Sequence, residues 1–250
     1  WPGVAGTAPA GEGPEAEVPV VVGASLERVH RRLLEAPDRE PVPPPPGLQA
    51  ELRHYQQQGL TWLAEMTSLG LGVCLADDMG LGKTVQVIAL HLHRAEQARA
   101  AGREPGPTLV VCPASLLGNW EAEVRRFAPG VPARRFHGGA RSLAGVRDGF
   151  VLTTYGTMRS SLAPRASAPD AGPGLRDVAW DLVVADEAQH VKNPRSSTAR
   201  LLRTIESRAR VALTGTPVEN DLTELWAILD WATPGLLGSR NAFRKAWATP

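Results

Sequence analysis

Residues 77 to 84 have the types and spacing of a loop that binds phosphate. In order, they are Asp77, Asp78, Met79, Gly80, Leu81, Gly82, Lys83 and Thr84. Gly80 and Gly82 permit backbone angles that direct successive N–H groups toward phosphate oxygens. Lys83 would reach the β- and γ-phosphates of a nucleoside triphosphate, and the Thr84 hydroxyl would hold Mg²⁺. The stretch therefore predicts a nucleotide-binding loop.

A strand before this loop and a helix after it would hold it in place. The apolar run Val73–Ala76 precedes the loop, and the helical pattern Thr84–Arg99 follows it. The start of that helix would add the positive end of its dipole. The usual loop pattern opens with glycine, whereas this chain has Asp77. A glycine-containing turn between a strand and a helix, with no ligand, is the alternative interpretation.

Two adjacent carboxylates, Asp186 and Glu187, follow another apolar run, Leu182–Ala185. Ligands of open α/β sheets bind beyond the carboxyl ends of the strands, so these acids should lie at the edge that carries the phosphate loop. Asp186 would hold Mg²⁺, and Glu187 would orient and polarise the attacking water. The alternative is an acidic helix start stabilised by the helix dipole.

Two further segments carry polar groups that could act on a nucleotide. Thr214, Gly215 and Thr216 follow an apolar strand pattern and could sense the γ-phosphate, or simply cap a helix. Gln56 precedes a helical pattern, and its amide could pair with an adenine edge because it has both a donor and an acceptor. For Gln56 the alternative is a solvated helix face.

The remaining sequence supplies the elements that would position these residues. Predicted strands are Val73–Ala76, Thr108–Cys112, Ala133–His137, Phe150–Thr154, Leu182–Ala185 and Arg210–Leu213. Predicted helices are Tyr55–Thr67, Thr84–Arg99, Leu116–Phe127, Thr198–Ser207, Leu222–Trp231 and Arg240–Trp247. Continuous apolar strands that alternate with helices indicate an α/β fold, with a mostly parallel central sheet and helices on both faces. Residues 1–47, rich in Pro, Gly and Ala, read as a linker and the tail of a preceding domain, and residues 48–250 as the nucleotide-binding domain.

Composition limits the partners. The formal net charge of the 250 residues is only +1, so any nucleic-acid contact must come from a local patch. Cys74 and Cys112 fall in predicted strands, as expected of small apolar core residues in a reducing compartment. No apolar run is long enough to span a membrane. A cytoplasmic protein without a membrane partner is therefore predicted. The start at Trp1 rather than Met suggests an internal piece of a longer chain.

Together, these motifs resemble the first RecA-like lobe of the Swi/Snf-type ATPases of helicase superfamily two. The resemblance extends from residue 48 to the end of the chain. The matching segments, in the family's order, are residues 52–59, 76–84, 111–120, 152–155, 186–193 and 213–220. The family commonly has Asp at the position of Asp77, which accounts for the missing glycine. It more often has His where this chain has Gln189. Because the Gln189 amide could still reach residues 214–216, altered coupling and not loss of hydrolysis is expected.

The resemblance implies a DNA-dependent ATP hydrolase that moves along double-stranded DNA and could remodel a bound protein. ATP and Mg²⁺ would be its cofactors, with Arg53 and Gln56 beside the adenine. Lys83, Asp186, Glu187 and Gln189 would form the catalytic set. Thr214, Gly215 and Thr216 would couple hydrolysis to movement, and Ser115, Thr153 and Thr154 would contact DNA phosphates.

In such a motor, a second RecA-like lobe would supply arginine fingers, so this lobe alone should be weakly active. Arg125, Arg126, Arg134 and Arg135 could add a basic stripe, although such arginines are often solvated or paired. The composition is typical of a GC-rich, bacterial genome, where the protein would associate with the nucleoid. A strand-separating DNA or RNA helicase and a catalytically degenerate docking module are the alternative functions.

Overall fold

A parallel sheet organises the chain. The computed structural model describes residues 40–139, 141–163 and 172–247. Its strands are β1 (Val73–Leu75), β2 (Thr108–Cys112), β3 (Ala133–Arg135), β4 (Phe150–Thr154), β5 (Trp180–Asp186) and β6 (Ser207–Leu213). They lie in the order β1-β6-β5-β2-β4-β3, and every neighbouring pair is parallel. The predicted α/β fold with a parallel central sheet is therefore confirmed.

Helices cover both faces of this sheet. Within the described residues they are α1 (His54–Ser68), α2 (Lys83–Ala100), α3 (Leu117–Phe127), α4 (Tyr155–Leu162), α5 (Ser197–Arg203), α6 (Leu222–Ala232) and α7 (Arg240–Trp247). One apolar cluster joins α1, α2 and α3 to the sheet, and a second joins α4, α5 and α6 to its other face. Because strand side chains alternate, Leu182 and Val184 of β5 enter the first cluster, while Val183 and Ala185 enter the second.

The predicted elements differ from the structure mainly on one face of the sheet. Helix α4 was absent from the sequence prediction, because Gly156 and several small polar residues obscure its apolar period. The Thr154 hydroxyl accepts a hydrogen bond from the Thr157 N–H at 3.1 Å and so caps this helix. The predicted helix Thr198–Ser207 is too long. It ends at Arg203, and Ser207 is already paired with Trp180 as the first residue of β6.

The proline-rich segment before α1 contacts the domain where it is described. The Val42 N–H donates to the Thr61 hydroxyl at 2.9 Å, and the Gln49 N–H donates to the Phe127 carbonyl at 2.7 Å. Residues 40–49 therefore lie against α1 and the end of α3. The linker and tail predicted for residues 1–47 lie outside the described residues as far as residue 39.

The two cysteines lie in strands, as the sequence predicts, but they are buried to different degrees. Cys112 is buried and Cys74 is half-buried. Burial raises the pKa of the Cys112 thiol to about 12 and that of Cys74 to about 11, so both stay protonated and unreactive near neutral pH.

Across residues 40–139, 141–163 and 172–247, no helix is both long enough and apolar enough to cross a membrane.

Candidate nucleotide-binding site

The loop between β1 and α2 has the backbone that its glycines predict. Gly80 has a φ of +83° and Gly82 a φ of +78°, both in the left-handed region that side chains rarely adopt. The space differs between the two positions. A Cβ on Gly80 would meet nothing within 4 Å, whereas a Cβ on Gly82 would lie 2.4 Å from Gln56 Nε2. Gly82 is therefore required by both its conformation and its neighbour.

The ammonium of Lys83 lies within this loop. Its Nζ donates to the carbonyl oxygen of Asp77 at 2.6 Å and to that of Asp78 at 3.0 Å. Lys83 is also the first residue of α2, so the loop leads directly into the unpaired N–H groups of the helix start. The loop thus combines a cation, left-handed glycines and a helix N-terminus, as anion-binding loops do.

Asp77, which replaces the usual glycine, is held by a residue that the sequence prediction missed. Its Oδ2 accepts a hydrogen bond from Gln86 Nε2 at 3.0 Å, and Gln86 is fully buried in α2. The carboxylate is therefore tied to the helix that follows the loop. The departure at Asp77 was the one signal that could have pointed to a partner at Gln86.

Gln56 connects α1 to the loop. Its Nε2 donates to the Leu81 carbonyl at 3.0 Å, and its Oε1 accepts from the Arg53 N–H at 2.9 Å. The Tyr55 hydroxyl donates to the same Leu81 carbonyl at 3.2 Å. Gln56 is buried, so the alternative of a solvated helix face is wrong for it. One amide hydrogen and one lone pair of Gln56 remain for another partner, and the Arg53 side chain is exposed nearby.

Asp186 ends β5, which is separated from β1 only by β6. Its Oδ2 accepts from Trp120 Nε1 at 2.8 Å, and its Oδ1 accepts from the Glu187 N–H at 2.9 Å. Burial raises the pKa of Asp186, while these two hydrogen bonds and the attraction of Lys83 act in the opposite direction. Lys83 and Asp186 thus lie close enough for their charges to interact, while a common pocket for Lys83, Asp186 and Glu187 stays a prediction.

Glu187 has an unusual backbone. Its φ is +52°, and no other non-glycine residue in the described ranges has a positive φ. A residue held in this region is strained, and such strain occurs often at functional sites. The Glu187 carboxylate accepts a hydrogen bond from Gln189 Nε2 at 2.8 Å. Only a short 3₁₀ turn, Ala188–Val191, follows it, so the alternative of an acidic start to a regular helix is wrong.

The residues after β6 complete the edge. The Thr214 N–H donates to the Leu75 carbonyl at 3.2 Å, and a Cβ on Gly215 would lie 3.5 Å from Met79 Cγ. The Thr214 hydroxyl also lies 3.5 Å from Gln189 Oε1 and accepts from the Thr216 N–H at 3.1 Å. Thr214 and Gly215 therefore lie beside the end of β1, the phosphate loop and the segment that carries the carboxylates.

Two of the three predicted DNA contacts are corrected by the structure. Thr153 is buried, and its hydroxyl donates to the Phe136 carbonyl at 2.8 Å. Thr154 is also buried, and its hydroxyl caps α4. Both hydroxyls are thus used inside the fold and are not available to a phosphate. Ser115, in a short 3₁₀ turn before α3, is exposed as predicted.

The predicted arginine stripe is largely paired. Arg125 and Arg135 both contact Glu121, at 3.2 Å and 2.6 Å. Arg134 donates to the Ala144 carbonyl at 2.8 Å, and Arg126 lies 5.1 Å from the centre of the Phe127 ring. Of the two readings of these arginines, the paired one fits the structure.

The donor set fits Mg²⁺ held together with a nucleotide. Among the described residues, no group of three His, Cys, Asp or Glu side chains could hold a metal ion alone. Mg²⁺ is usually bound by one or two carboxylates, with waters and substrate phosphates as its other ligands. Asp186 offers such a carboxylate, and each of its oxygens keeps one free lone pair after the hydrogen bonds described above.

A parallel α/β sheet, a phosphate loop after its edge strand and a carboxylate on a nearby strand define a RecA-like lobe of a phosphate-loop ATPase. This chain belongs to the SNF2-related domain family, whose family model matches residues 55–250. The resemblance to Swi/Snf-type ATPases is therefore confirmed, and with it the ATPase class of the domain.

Similar proteins include one of known structure. The Sulfolobus solfataricus SWI2/SNF2 ATPase core in complex with dsDNA is 39% identical, with a TM-score of 0.70, over 85% of this chain and 42% of that one. YwqA of Bacillus subtilis, which bears a helicase/translocase name, is 39% identical over 82% of this chain and 21% of its own length. The TATA-binding protein-associated factor MOT1 of Saccharomyces cerevisiae is 32% identical over 93% of this chain and 13% of its own length. This chain thus spans at most about a fifth of these two relatives.

Proposed function

We propose that this chain is the ATP-binding lobe of a motor that couples ATP hydrolysis to movement on double-stranded DNA. The observation that carries the proposal is the meeting of three strand ends. The loop with Lys83 follows β1, Thr214 and Gly215 follow β6, and Asp186 ends β5. A triphosphate in the loop would therefore lie between a cation, a carboxylate pair and a polar sensor.

Each residue of this site has a chemical role in the proposal. Lys83 and the N–H groups of the loop would bind the β- and γ-phosphates, and Gln56 with Arg53 would lie on the adenine side. Thr84 and Asp186 would hold Mg²⁺, which supplies Lewis-acid stabilisation of phosphate charge. Glu187 would orient and polarise the attacking water. The strained backbone of Glu187 and its hydrogen bond from Gln189 would keep its carboxylate in one position.

Gln189 would couple ATP hydrolysis to movement by connecting Glu187 to residues 214–216. Its amide contacts the Glu187 carboxylate on one side and the Thr214 hydroxyl on the other. A change at the γ-phosphate would therefore reach residues 214–216 through hydrogen bonds. This arrangement supports the expectation that Gln, in place of the commoner His, alters coupling and does not abolish hydrolysis.

DNA would bind at the edge of the sheet that carries Ser115. The protein would act in the nucleoid of a bacterial cell. The related Sulfolobus core, solved with dsDNA, supports duplex DNA as the track. This chain covers 42% of that core, which supports a second lobe as the source of the missing arginine fingers. Without such a finger, hydrolysis by phosphate-loop enzymes can be slower by about 10³ to 10⁵. A protein displaced from DNA by the motor is a further proposed partner.

Two point variants test this function. Lys83→Ala should weaken binding of a fluorescent ATP analogue by tenfold or more, because the phosphates lose their cation. Glu187→Gln should keep nucleotide affinity but slow hydrolysis by about 10² to 10⁴, the usual contribution of a general base. Lys245→Ala and Glu96→Gln, both at exposed helix positions, are the matched controls. A catalytically degenerate docking module would instead show no hydrolysis even in the wild type, and the function of the complete protein would survive both Lys83→Ala and Glu187→Gln.

A strand-separating helicase is the second candidate, since one relative bears a helicase/translocase name. The two motors differ in their product. A duplex translocase should displace a third strand from a triplex without melting the duplex, whereas a helicase should release single strands from a forked substrate. Both assays should be run on the complete protein. Full DNA-stimulated turnover by the 250-residue chain alone would exclude the two-lobe mechanism.

A further inference from the structure

Asp186 is held at both ends by aromatic side chains from two different helices. Trp120 of α3 donates its indole N–H to Asp186 Oδ2 at 2.8 Å. Tyr155, the first residue of α4, donates its hydroxyl to the Asp186 backbone carbonyl at 2.7 Å. Both side chains are buried, Trp120 with only 1% of its surface exposed. A charge-assisted hydrogen bond in such surroundings is strong and directional.

From this geometry we propose that Trp120 is a positioning residue for the metal-binding carboxylate, with Tyr155 as a second support. The inference rests on the proposed function, in which Asp186 holds Mg²⁺. With Oδ1 bound to the Glu187 N–H and Oδ2 bound to the indole, the carboxylate plane is fixed. Each oxygen then presents its remaining lone pair in a set direction. Partners that orient a metal-binding group typically change metal affinity by about 10- to 100-fold when removed.

The two supports also connect the carboxylate to other parts of the lobe. Trp120 lies in the helix that follows the exposed turn with Ser115, and Tyr155 directly follows the cap residue Thr154. The Tyr155 ring in turn contacts the His190 ring, with 4.5 Å between their centres. A displacement of α3 would therefore be transmitted to Asp186 through a single hydrogen bond. This gives the Ser115 edge a direct physical connection to the metal-binding carboxylate.

The chain offers a closely matched control in Trp180. This residue is also buried, at 2% exposure, and its Nε1 donates to the Leu175 carbonyl at 2.8 Å. It begins the same strand that Asp186 ends. Trp120→Phe and Trp180→Phe each remove one buried indole hydrogen bond and a similar volume. A purely structural role for Trp120 would therefore make the two variants behave alike.

The test measures binding of a fluorescent ATP analogue as Mg²⁺ is titrated, with a parallel series in EDTA. Trp120→Phe should need at least tenfold more Mg²⁺ for half-maximal binding, with unchanged binding in EDTA. Trp180→Phe should match the wild type within about twofold at comparable thermal stability. Tyr155→Phe should shift the Mg²⁺ dependence in the same direction as Trp120→Phe, by a smaller factor. Equal Mg²⁺ dependence in all four proteins would overturn the inference.

A measurement on the wild type keeps the inference testable if Trp120→Phe does not fold. The indole N–H resonances, assigned with selectively labelled protein, should respond selectively to nucleotide. The Trp120 resonance should shift with Mg²⁺ and nucleotide but not with nucleotide in EDTA, while that of Trp180 stays in place. An unmoved Trp120 resonance would overturn the inference even where Mg²⁺-dependent binding is normal. A wild type without Mg²⁺-dependent binding would overturn the proposed function as well.

Discussion

Gln189 and Thr214 meet between the ends of β5 and β6, with 3.5 Å between Gln189 Oε1 and the Thr214 hydroxyl. The other end of the same amide donates to the Glu187 carboxylate at 2.8 Å. One side chain therefore joins the carboxylate that would polarise water to the segment that lies beside the phosphate loop.

Gln189→Ala should separate hydrolysis from binding. The variant loses a hydrogen bond to a charged group, which is typically worth about 1.5–3 kcal/mol. We expect DNA-stimulated ATP hydrolysis by the complete protein to fall by about tenfold or more, with nucleotide affinity within twofold of the wild type. Gln189→His should retain most of the rate, and Gln97→Ala, at an exposed position of α2, is the control. A wild-type rate in Gln189→Ala would show that Gln189 transmits nothing.

Substitutions at the two glycines of the phosphate loop separate the cost of a left-handed backbone from the cost of a steric clash with Gln56. Gly80→Ala should destabilise the fold by roughly 1–2 kcal/mol, because alanine would be forced into the left-handed region with open space around it. Gly82→Ala should cost about 1 kcal/mol more, because its Cβ would displace the Gln56 amide from the Leu81 carbonyl. Chemical denaturation of both variants measures the difference. Equal losses would mean that the Gln56 contact contributes nothing.

Lys192 should hold the segment between β6 and α6 in place. Its Nζ lies 3.2 Å from carboxylate oxygens of both Glu219 and Glu224, and its side chain is only 10% exposed. Lys192→Met should destabilise the fold by up to about 1 kcal/mol, because the Glu219 carboxylate is half exposed and solvent screens the pair. It should also speed amide hydrogen exchange in residues 216–221. Lys245→Met, at an exposed position of α7, should change neither quantity.

His91 should make the fold sensitive to acid. Burial lowers the pKa of its imidazole from 6.5 to about 4, and a hydrogen bond of 2.9 Å joins its Nδ1 to the Thr108 hydroxyl. Four charged groups act on it more weakly and in opposing directions: Asp181, Asp148, Arg99 and Arg94. The unfolded chain therefore takes up a proton before the folded one does. Stability from this group is complete above pH 6.5 and is lost as the pH falls through about 4.

The size of this effect can be measured against a variant. The pKa shift of His91 corresponds to roughly 3 kcal/mol between pH 7 and pH 4. His91→Gln should remove that part of the pH dependence of the unfolding free energy, whereas His54→Gln, at an exposed position, should leave it intact. An unchanged pH slope in His91→Gln would contradict the assigned protonation.

Much of the fold could be predicted because the sheet is buried on both faces. Strands β2 and β4 are mainly apolar and buried at every residue, and their predicted bounds agree with the structure. Helix α4 could not be predicted, because its capping hydroxyl and its packing against the sheet outweigh a sequence with little helical period. Similarly, nothing local to residues 204–206 shows that the chain leaves α5 early to pair with β5.

The site was predictable in outline only. Chain order and strand ends were enough to bring Lys83 toward Asp186, because parallel strands end at one edge. The partners of those residues were not predictable, since the contact of Trp120 with Asp186 joins positions far apart in sequence. Thr153 was misjudged for a related reason. Its position at the end of a strand suggested exposure, whereas its hydroxyl points to the Phe136 carbonyl inside the fold.

The hydrogen bond from Gln86 to Asp77 makes the first residue of the phosphate loop depend on a side chain of the helix that follows the loop. An acid at this position leaves a carboxylate that must find a donor, and a buried amide nine positions later provides one. The two positions should therefore change together in evolution. A chain with glycine at the first position would be free to carry an apolar residue at the second, and a search that demands the glycine would overlook loops of this kind.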